Sequence, residues 1–286
     1  MFVTPPRQKQ GMGPPNGAQQ NTEIRAHAID ISMDAEPTDG QSSRVSSGAR
    51  VSALTMGAGP TVMLVHGWGG SAGDMVPIAS AFARAGYRAV VFDMPGHGRS
   101  SGRESSLVEF LRAMRTVSGA LGAPELIVGH SFGGAAAVFG ITELGLPVRG
   151  AVLVSPAPGP SYYVDRFARS VGLPAERTNG MVRYLVDRVG RSIESLDALV
   201  AARSATVPAV IFHDPADREV PFEFATRMSE VWRGSHLVPT PSVGHKRILR
   251  DPRTIAGAVD FARSLFGQAS ERHPLVPSSW MPDRHA

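Results

Sequence analysis

The chain has 286 residues, a net charge of +4, and 42% hydrophobic against 19% charged residues, which suits one large α/β domain or two small ones with a sizeable core. No apolar run approaches the roughly 18 residues of a membrane span, and without cysteine there are no disulfides, thiol nucleophiles or Cys-held metals. The basic residues are 27 Arg and two Lys, Lys9 and Lys246, scattered among acids; no like-charge block or aromatic-interleaved basic stripe speaks for a nucleic-acid partner.

Residues 1–20 hold four prolines, three glycines and four glutamines with little beyond Phe2 to bury, so they read as a disordered tail. They also lack the apolar stretch of a secretory signal, which makes a cytoplasmic protein the expectation. Pro5, Pro6, Pro14 and Pro15 could offer a polyproline segment to a partner, although an unstructured terminus is the default. β-prone runs at 24–31 and 49–56 suggest an opening antiparallel pair. From residue 61 short apolar runs alternate with helical patterns. Strands are expected at 61–66, 87–93, 126–128, 151–154, 207–212 and 236–238. Helices are expected at 74–85, over the stripe Leu107, Phe110, Leu111, Met114, Val117 and Leu121, from 132 to about 144, and at 222–232 and 252–266.

Repeated β-α units predict an α/β fold with a mostly parallel sheet, helices on both faces, and ligands at the carboxyl ends of the strands. Between the sixth and seventh strands, residues 157–205 carry helical stripes (Val164, Phe167, Val171; Met181, Leu185, Val189; Ile193, Leu196, Val200) without a strand, as a helical cap inserted after the sixth strand would. The expected division is therefore a tail at 1–20, a core at 21–156 and 206–267, the cap at 157–205, and a C-terminal tail at 268–286.

The strand at 126–128 runs into Gly129-His130-Ser131-Phe132-Gly133-Gly134 and then Ala135 to Ala137. This is G-x-S-x-G in a strand-turn-helix setting, where a sharp turn lifts the serine above the sheet edge and tolerates no side chains two residues to either side. Ser131 is the candidate nucleophile, with the helix N-terminus beneath it to stabilise an oxyanion. His66-Gly67-Trp68-Gly69-Gly70 follows the first parallel strand and can aim backbone N–H groups into the same place, so the amides of Trp68 and Phe132 are the predicted oxyanion donors. His66 reads as a histidine holding that loop. Asp93 and His97 sit in a Pro/Gly turn, Asp93-Met-Pro-Gly-His-Gly-Arg-Ser100, whose polar groups are expected to satisfy backbone.

HGWGG, DMPGHGRS and GHSFGG, in this order and spacing, resemble the α/β-hydrolase superfamily, in particular bacterial serine hydrolases of the esterase and monoglyceride-lipase type, over about residues 45–267. The resemblance implies the α/β-hydrolase fold and a triad in the order serine, acid, histidine. The stretch His213-Asp-Pro-Ala-Asp217 resembles the family's H-G-x-x-D, which implies Asp217 as the acid; Asp214 stands where the family has glycine and is the second candidate. Ser242-Val-Gly-His245 resembles the family's G-H loop and implies His245 as the general base. Glu219 reads as solvent-facing, Lys246 and Arg247 as exposed or touching a neighbouring loop, and His213 and His236 as structural.

The same resemblance implies a cofactor-free, metal-free reaction on a small-molecule acyl ester through an acyl-enzyme on Ser131. Amides, thioesters and carbon–carbon bonds would use the same residues, and a noncatalytic binding protein of this fold is the alternative from another class. No H-E-x-x-H, P-loop or EF-hand pattern occurs. Tyr162, Tyr163, Phe167, Met181, Tyr184 and Leu185 are the cap's candidates for substrate contact, equally explained as its own packing. The cap's apolar helices suit an uncharged or amphiphilic ester.

Overall fold

The computed structural model describes residues 26–33 and 49–267, apart from the side chains of Arg188 and Val189. The tails expected at 1–20 and 268–286, with their prolines and Lys9, lie outside the described residues, as do positions 24 and 25 of the first β-prone run. Strands β1 (Ala26–Ser32), β2 (Arg50–Met56), β3 (Thr61–Val65), β4 (Arg88–Phe92), β5 (Leu126–His130), β6 (Ala151–Val154), β7 (Ala209–His213) and β8 (Ser235–Pro239) form one sheet in the order β1-β2-β4-β3-β5-β6-β7-β8. β1 and β2 pair antiparallel, Ile29 opposite Ala53, and β2 runs antiparallel to β4. Every other neighbouring pair is parallel, which gives the α/β-hydrolase fold its mostly parallel sheet.

Because successive side chains of a strand point to opposite faces, each central strand feeds two apolar layers. Met63, Val65, Val90, Phe92, Ile127, Leu153 and Ile211 face one layer. It is closed by α2 (Leu107–Leu121), α3 (Phe132–Thr142) and α7 (Phe222–Val231). Val62, Leu64, Val91, Val128, Val154 and Phe212 face the other, closed by α1 (Ala72–Arg84) and α8 (Pro252–Leu265). Burial on both faces is why these strands read as unbroken apolar runs. The stripe of α2 behaves as its spacing demands: Phe110, Met114 and Val117 are buried, and the Ser106 hydroxyl accepts the Glu109 amide at the N-cap. Ser71 and Asp74 make a capping box that starts α1 two residues before the expected position. Trp232, buried after α7, donates its indole N–H to the Val207 carbonyl at 2.8 Å.

The helices between β6 and β7 divide into two sets. Of α4 (Pro160–Ser170) and α5 (Ala175–Val189), Val164 and Leu185 meet Ile193 in a small cluster of their own, with Met181 and Val182 against it. The 3₁₀ turn Glu194–Leu196 and α6 (Ala198–Ala202) belong to the first core layer, where Leu196, Ala198, Leu199 and Ala202 are buried. On α4 the buried face is Pro160, Val164 and Ala168, one turn apart, so Phe167 and Val171, part of the expected stripe, point outward at 45% and 56% exposure.

Chain order around the centre of the sheet places the site. From β3 the chain moves to β4 on one side and then returns to β5 on the other, and a crevice opens at the carboxyl ends of strands where the order reverses. The loops after β3 and β5 are the two glycine-rich motifs.

Candidate active site

Ser131 joins β5 to α3 with φ 53° and ψ −120°, a left-handed backbone that a non-glycine residue adopts only where its surroundings force it. The flanking glycines show the force. A Cβ on Gly129 would fall on the Gly133 carbonyl, and one on Gly133 would fall on the Val65 and His66 carbonyls. A Cβ on Gly67 would lie 2.9 Å from the Ser131 Cβ, so this glycine lets the β3 loop close on Ser131. Phe132 is the first residue of α3, so its N–H has no intrahelical acceptor. Among the described residues the amides of Phe132 and Trp68 are both without a hydrogen-bond partner.

Three histidines hold the surrounding loops, and their tautomers follow from their partners. His66 accepts the Met94 amide at Nε2 (3.0 Å) and donates from Nδ1 to the Gly67 carbonyl (2.7 Å), clamping the β3 loop to the β4 loop. His97 accepts the Gly69 amide at Nε2 (3.1 Å) and donates from Nδ1 to the Pro95 carbonyl (3.0 Å). Burial holds both well below the usual imidazole range, at about 4, so both are neutral at pH 7. His130 donates from Nε2 to the His245 carbonyl at 2.9 Å, with burial holding it at about 3. The Asp93 carboxylate accepts the amides of Ala72 (2.7 Å) and Arg99 (2.8 Å). Asp93 and His97 thus serve the backbone of their turn and of the β3 loop.

His245 follows β8 in a loop held from below. Its Nδ1–H donates to the Asp217 carboxylate at 2.7 Å, and that carboxylate also accepts the amides of Glu219 (2.8 Å) and Val220 (3.0 Å). Burial pushes Asp217 up, but the His245 hydrogen bond and these amides prevail and hold it at about 2. With Nδ1 committed, the neutral imidazole has its Nε2 lone pair available. Asp214, the departure from the family's glycine, does a different job. Its carboxylate accepts the Ala216 amide (2.9 Å) and, from the histidine loop, the amides of Val243 (2.8 Å) and Gly244 (2.5 Å). It ties the acid loop to the histidine loop without reaching the imidazole. Its carboxyl is held below its usual range by those amides against the opposing effect of burial.

His213 is fully buried, donates from Nε2 to the Val220 carbonyl (3.0 Å), and leaves Nδ1 without a partner. His236, on β8, has its pKa lowered by burial.

Ser131, 6% exposed, and His245, 7% exposed, open into one pocket of about 400 Å³. Its lining comes from three parts of the chain: Gly67, Trp68, Gly70 and Asp74 after β3; Tyr163 and Glu219 after β6 and β7; and Lys246, Arg247, Leu249 and Arg250 after His245. Trp68 sits in an aromatic cluster, stacked with Phe110 at 6.3 Å and edge-on to Phe132 at 5.5 Å and His97 at 5.3 Å. Of the six cap candidates only Tyr163 lines this pocket, within reach of the Ser131 side chain. Burial raises that phenol to about 12, so it stays a donor. Tyr162 turns to the Glu219 carbonyl (3.3 Å) and packs on Phe224. Met181 and Leu185 face the cap's own cluster, while Phe167 and Tyr184 face solvent. Glu219, Lys246 and Arg247 are exposed, and all three also line the pocket. Glu219 keeps 54% of its side chain exposed but brings Oε2 to 3.9 Å from His245 Nε2, because the Asp217 turn folds the following residues over the imidazole. Lys246 and Arg247 line the pocket, because the chain coils immediately after His245 into a 3₁₀ turn.

The α/β-hydrolase fold family matches residues 60–183. An α/β-hydrolase domain-containing protein of Dictyostelium discoideum is 31% identical over 118 residues, 39% of this chain and 13% of that protein. A monoacylglycerol lipase of Mycolicibacterium smegmatis is 36% identical over 81 residues, 26% of this chain and 29% of that protein. The chain therefore spans less than a third of the length of each of these two curated relatives. The solved structure of a monoacylglycerol lipase of Paleococcus ferrophilus superposes with a TM-score of 0.60 at 22% identity, covering 75% of this chain and 99% of that one, a likeness of fold. Among the described residues no helix is long and apolar enough to cross a membrane.

Proposed function

We propose that this chain, a member of the α/β-hydrolase superfamily, is a serine hydrolase that cleaves a carboxylic ester through an acyl-enzyme on Ser131. The observation that carries the reading is one pocket containing a serine forced to φ 53° and a histidine whose Nδ1–H is held 2.7 Å from a carboxylate. His245 Nε2 takes the hydroxyl proton as Ser131 Oγ attacks the carbonyl, and Asp217, ionised far below neutral pH, fixes the tautomer and stabilises the imidazolium. The carbonyl oxygen, now an oxyanion, takes the amides of Trp68 and Phe132, which have no other acceptor to give up and cost no reorganisation. Collapse expels the alcohol with the proton from His245, and water then repeats the sequence on the acyl-enzyme, returning Ser131 and a carboxylic acid.

Tyr163 lines the pocket with Ser131 and bounds the space the acyl carbonyl enters. The small-molecule substrate is thus an acyl ester that slides between Trp68 and Tyr163. The test is hydrolysis of 4-nitrophenyl esters from acetate to palmitate by the full chain, beside labelling with a fluorophosphonate probe. Turnover and labelling confined to Ser131 are the expected result. A folded protein that neither turns over the esters nor takes the probe would refute it.

A further inference from the structure

The cations of the pocket come from one short stretch of chain. Immediately after His245 the chain enters the 3₁₀ turn Arg247–Arg250, and from this stretch Lys246, Arg247 and Arg250, all exposed, line the pocket. Arg247 uses its Nε–H on the Val243 carbonyl at 2.9 Å. Among the described residues the side chains of Lys246 and Arg250 have neither a hydrogen bond nor an ion pair. The two acids of the pocket come from other segments of the chain and are otherwise engaged. Asp74 accepts the Ser71 amide at 2.9 Å in the cap of α1, and Glu219 lies 3.9 Å from His245 Nε2. Neither forms an ion pair with the three cations.

The reaction says which part of a substrate meets those cations. His245 hands its proton to the departing oxygen, so the alcohol portion lies beside the imidazole, and the cationic stretch begins at the next residue. Three cations on one stretch of chain, two without any acceptor, complement an oxyacid group, which Lys meets as a point charge and Arg by a planar fork. We propose that the preferred substrate is an ester whose alcohol portion carries an anionic group, a carboxylate or a phosphate, held by Lys246, Arg247 and Arg250. This inference rests on the Ser131–His245 reading of the site.

The experiment compares kcat/KM for 4-carboxyphenyl butyrate and 4-(phosphonomethyl)phenyl butyrate with that for the uncharged 4-carbamoylphenyl butyrate, in the wild type and in Lys246→Gln/Arg250→Gln. Each exposed ion pair is a factor of about two to five at low salt, so an anionic over neutral preference of about tenfold is expected, shrinking in 0.5 M salt. The double variant is expected to lose most of that ratio. Reading a ratio cancels any general loss of activity. The carboxylate and phosphonate arms tell which oxyacid fits better. An acyl-side control, 4-nitrophenyl hydrogen suberate against 4-nitrophenyl octanoate, is expected to show no anionic preference.

Equal rates on anionic and neutral alcohols, a preference confined to the acyl side, or a ratio unmoved by the double variant would each overturn the proposal while the serine hydrolase reading stands. If no ester is turned over, that reading fails, and calorimetry with 4-hydroxybenzoate against 4-hydroxybenzamide still reads the cationic stretch. Tighter binding of the benzoate that weakens about tenfold in the double variant supports the anion site, and equal binding of the two refutes it.

Discussion

Acid should loosen this protein well before its carboxylates protonate, because three neutral histidines brace the loops of the site. His66, His97 and His130 are held by burial at about 4, 4 and 3, whereas in the unfolded chain each titrates near 6.5. Between these values the unfolded state binds more protons than the native one, so stability falls as pH drops from about 6.5 towards 4. At pH 5 each histidine accounts for a loss on the order of 2 kcal/mol relative to its contribution well above pH 6.5, about 6 kcal/mol for the three. Glu109, whose carboxyl is raised by burial, opposes this by favouring the native state at low pH. Even so, the loss is comparable to a typical domain's whole stability. Urea unfolding followed by circular dichroism at pH 7 and pH 5 should show a drop of several kcal/mol. In His97→Gln, whose side-chain oxygen can still accept the Gly69 amide, the drop should be smaller by about 2 kcal/mol. Equal stability at the two pH values, or the same drop in the variant, would refute the assignment of neutral, buried histidines.

Three further outcomes follow from the geometry. Asp217→Asn should lower kcat on a 4-nitrophenyl ester by about 10⁴-fold with a lower melting temperature at neutral pH; Asp214→Asn, acting through the amides of Ala216, Val243 and Gly244, should lower kcat by ten- to a hundredfold and reduce thermal stability. The reverse ranking in the same assay would move the acid to Asp214. Asp217 also stabilises the fold above its ordinary pKa near 3.8 and loses that contribution as pH falls towards 2, so the wild type's acid unfolding below pH 4 should be steeper than that of Asp217→Asn. Gly133→Ala drives a methyl group into the Val65 and His66 carbonyls and should cost at least about 3 kcal/mol, read as loss of soluble folded protein; normal expression and melting would contradict the elbow's packing.

The parts of the fold and site that could be read from sequence are those written in local chemistry. Apolar runs bounded by glycine marked the central strands because both faces of each are covered, and the stripe of α2 needed only its own spacing. His66-Gly-Trp-Gly-Gly70 and Gly129-x-Ser-x-Gly133 were readable because the backbone there admits no side chain. The cap was less readable: Val164, Phe167 and Val171 share a helical spacing, yet the face actually buried is Pro160, Val164 and Ala168, chosen by the partner helix. α6, short and alanine-rich, gave no hint that it packs under α3 rather than in the cap. Lys246, Arg250 and Glu219 reach the pocket because the loops after β7 and β8 coil back over His245, and Tyr163 reaches Ser131 across 32 residues. Those approaches depend on contacts between distant segments, which neither composition nor spacing encodes.

The central claim is that Ser131 is the nucleophile, and single-turnover mass spectrometry of the protein mixed with 4-nitrophenyl butyrate tests it most directly. A burst of nitrophenolate, a butyryl adduct on the peptide containing Ser131, and loss of both in Ser131→Ala, with turnover down by about 10⁴-fold or more, are expected. Turnover that persists in Ser131→Ala, or an adduct on any other residue, would contradict the claim.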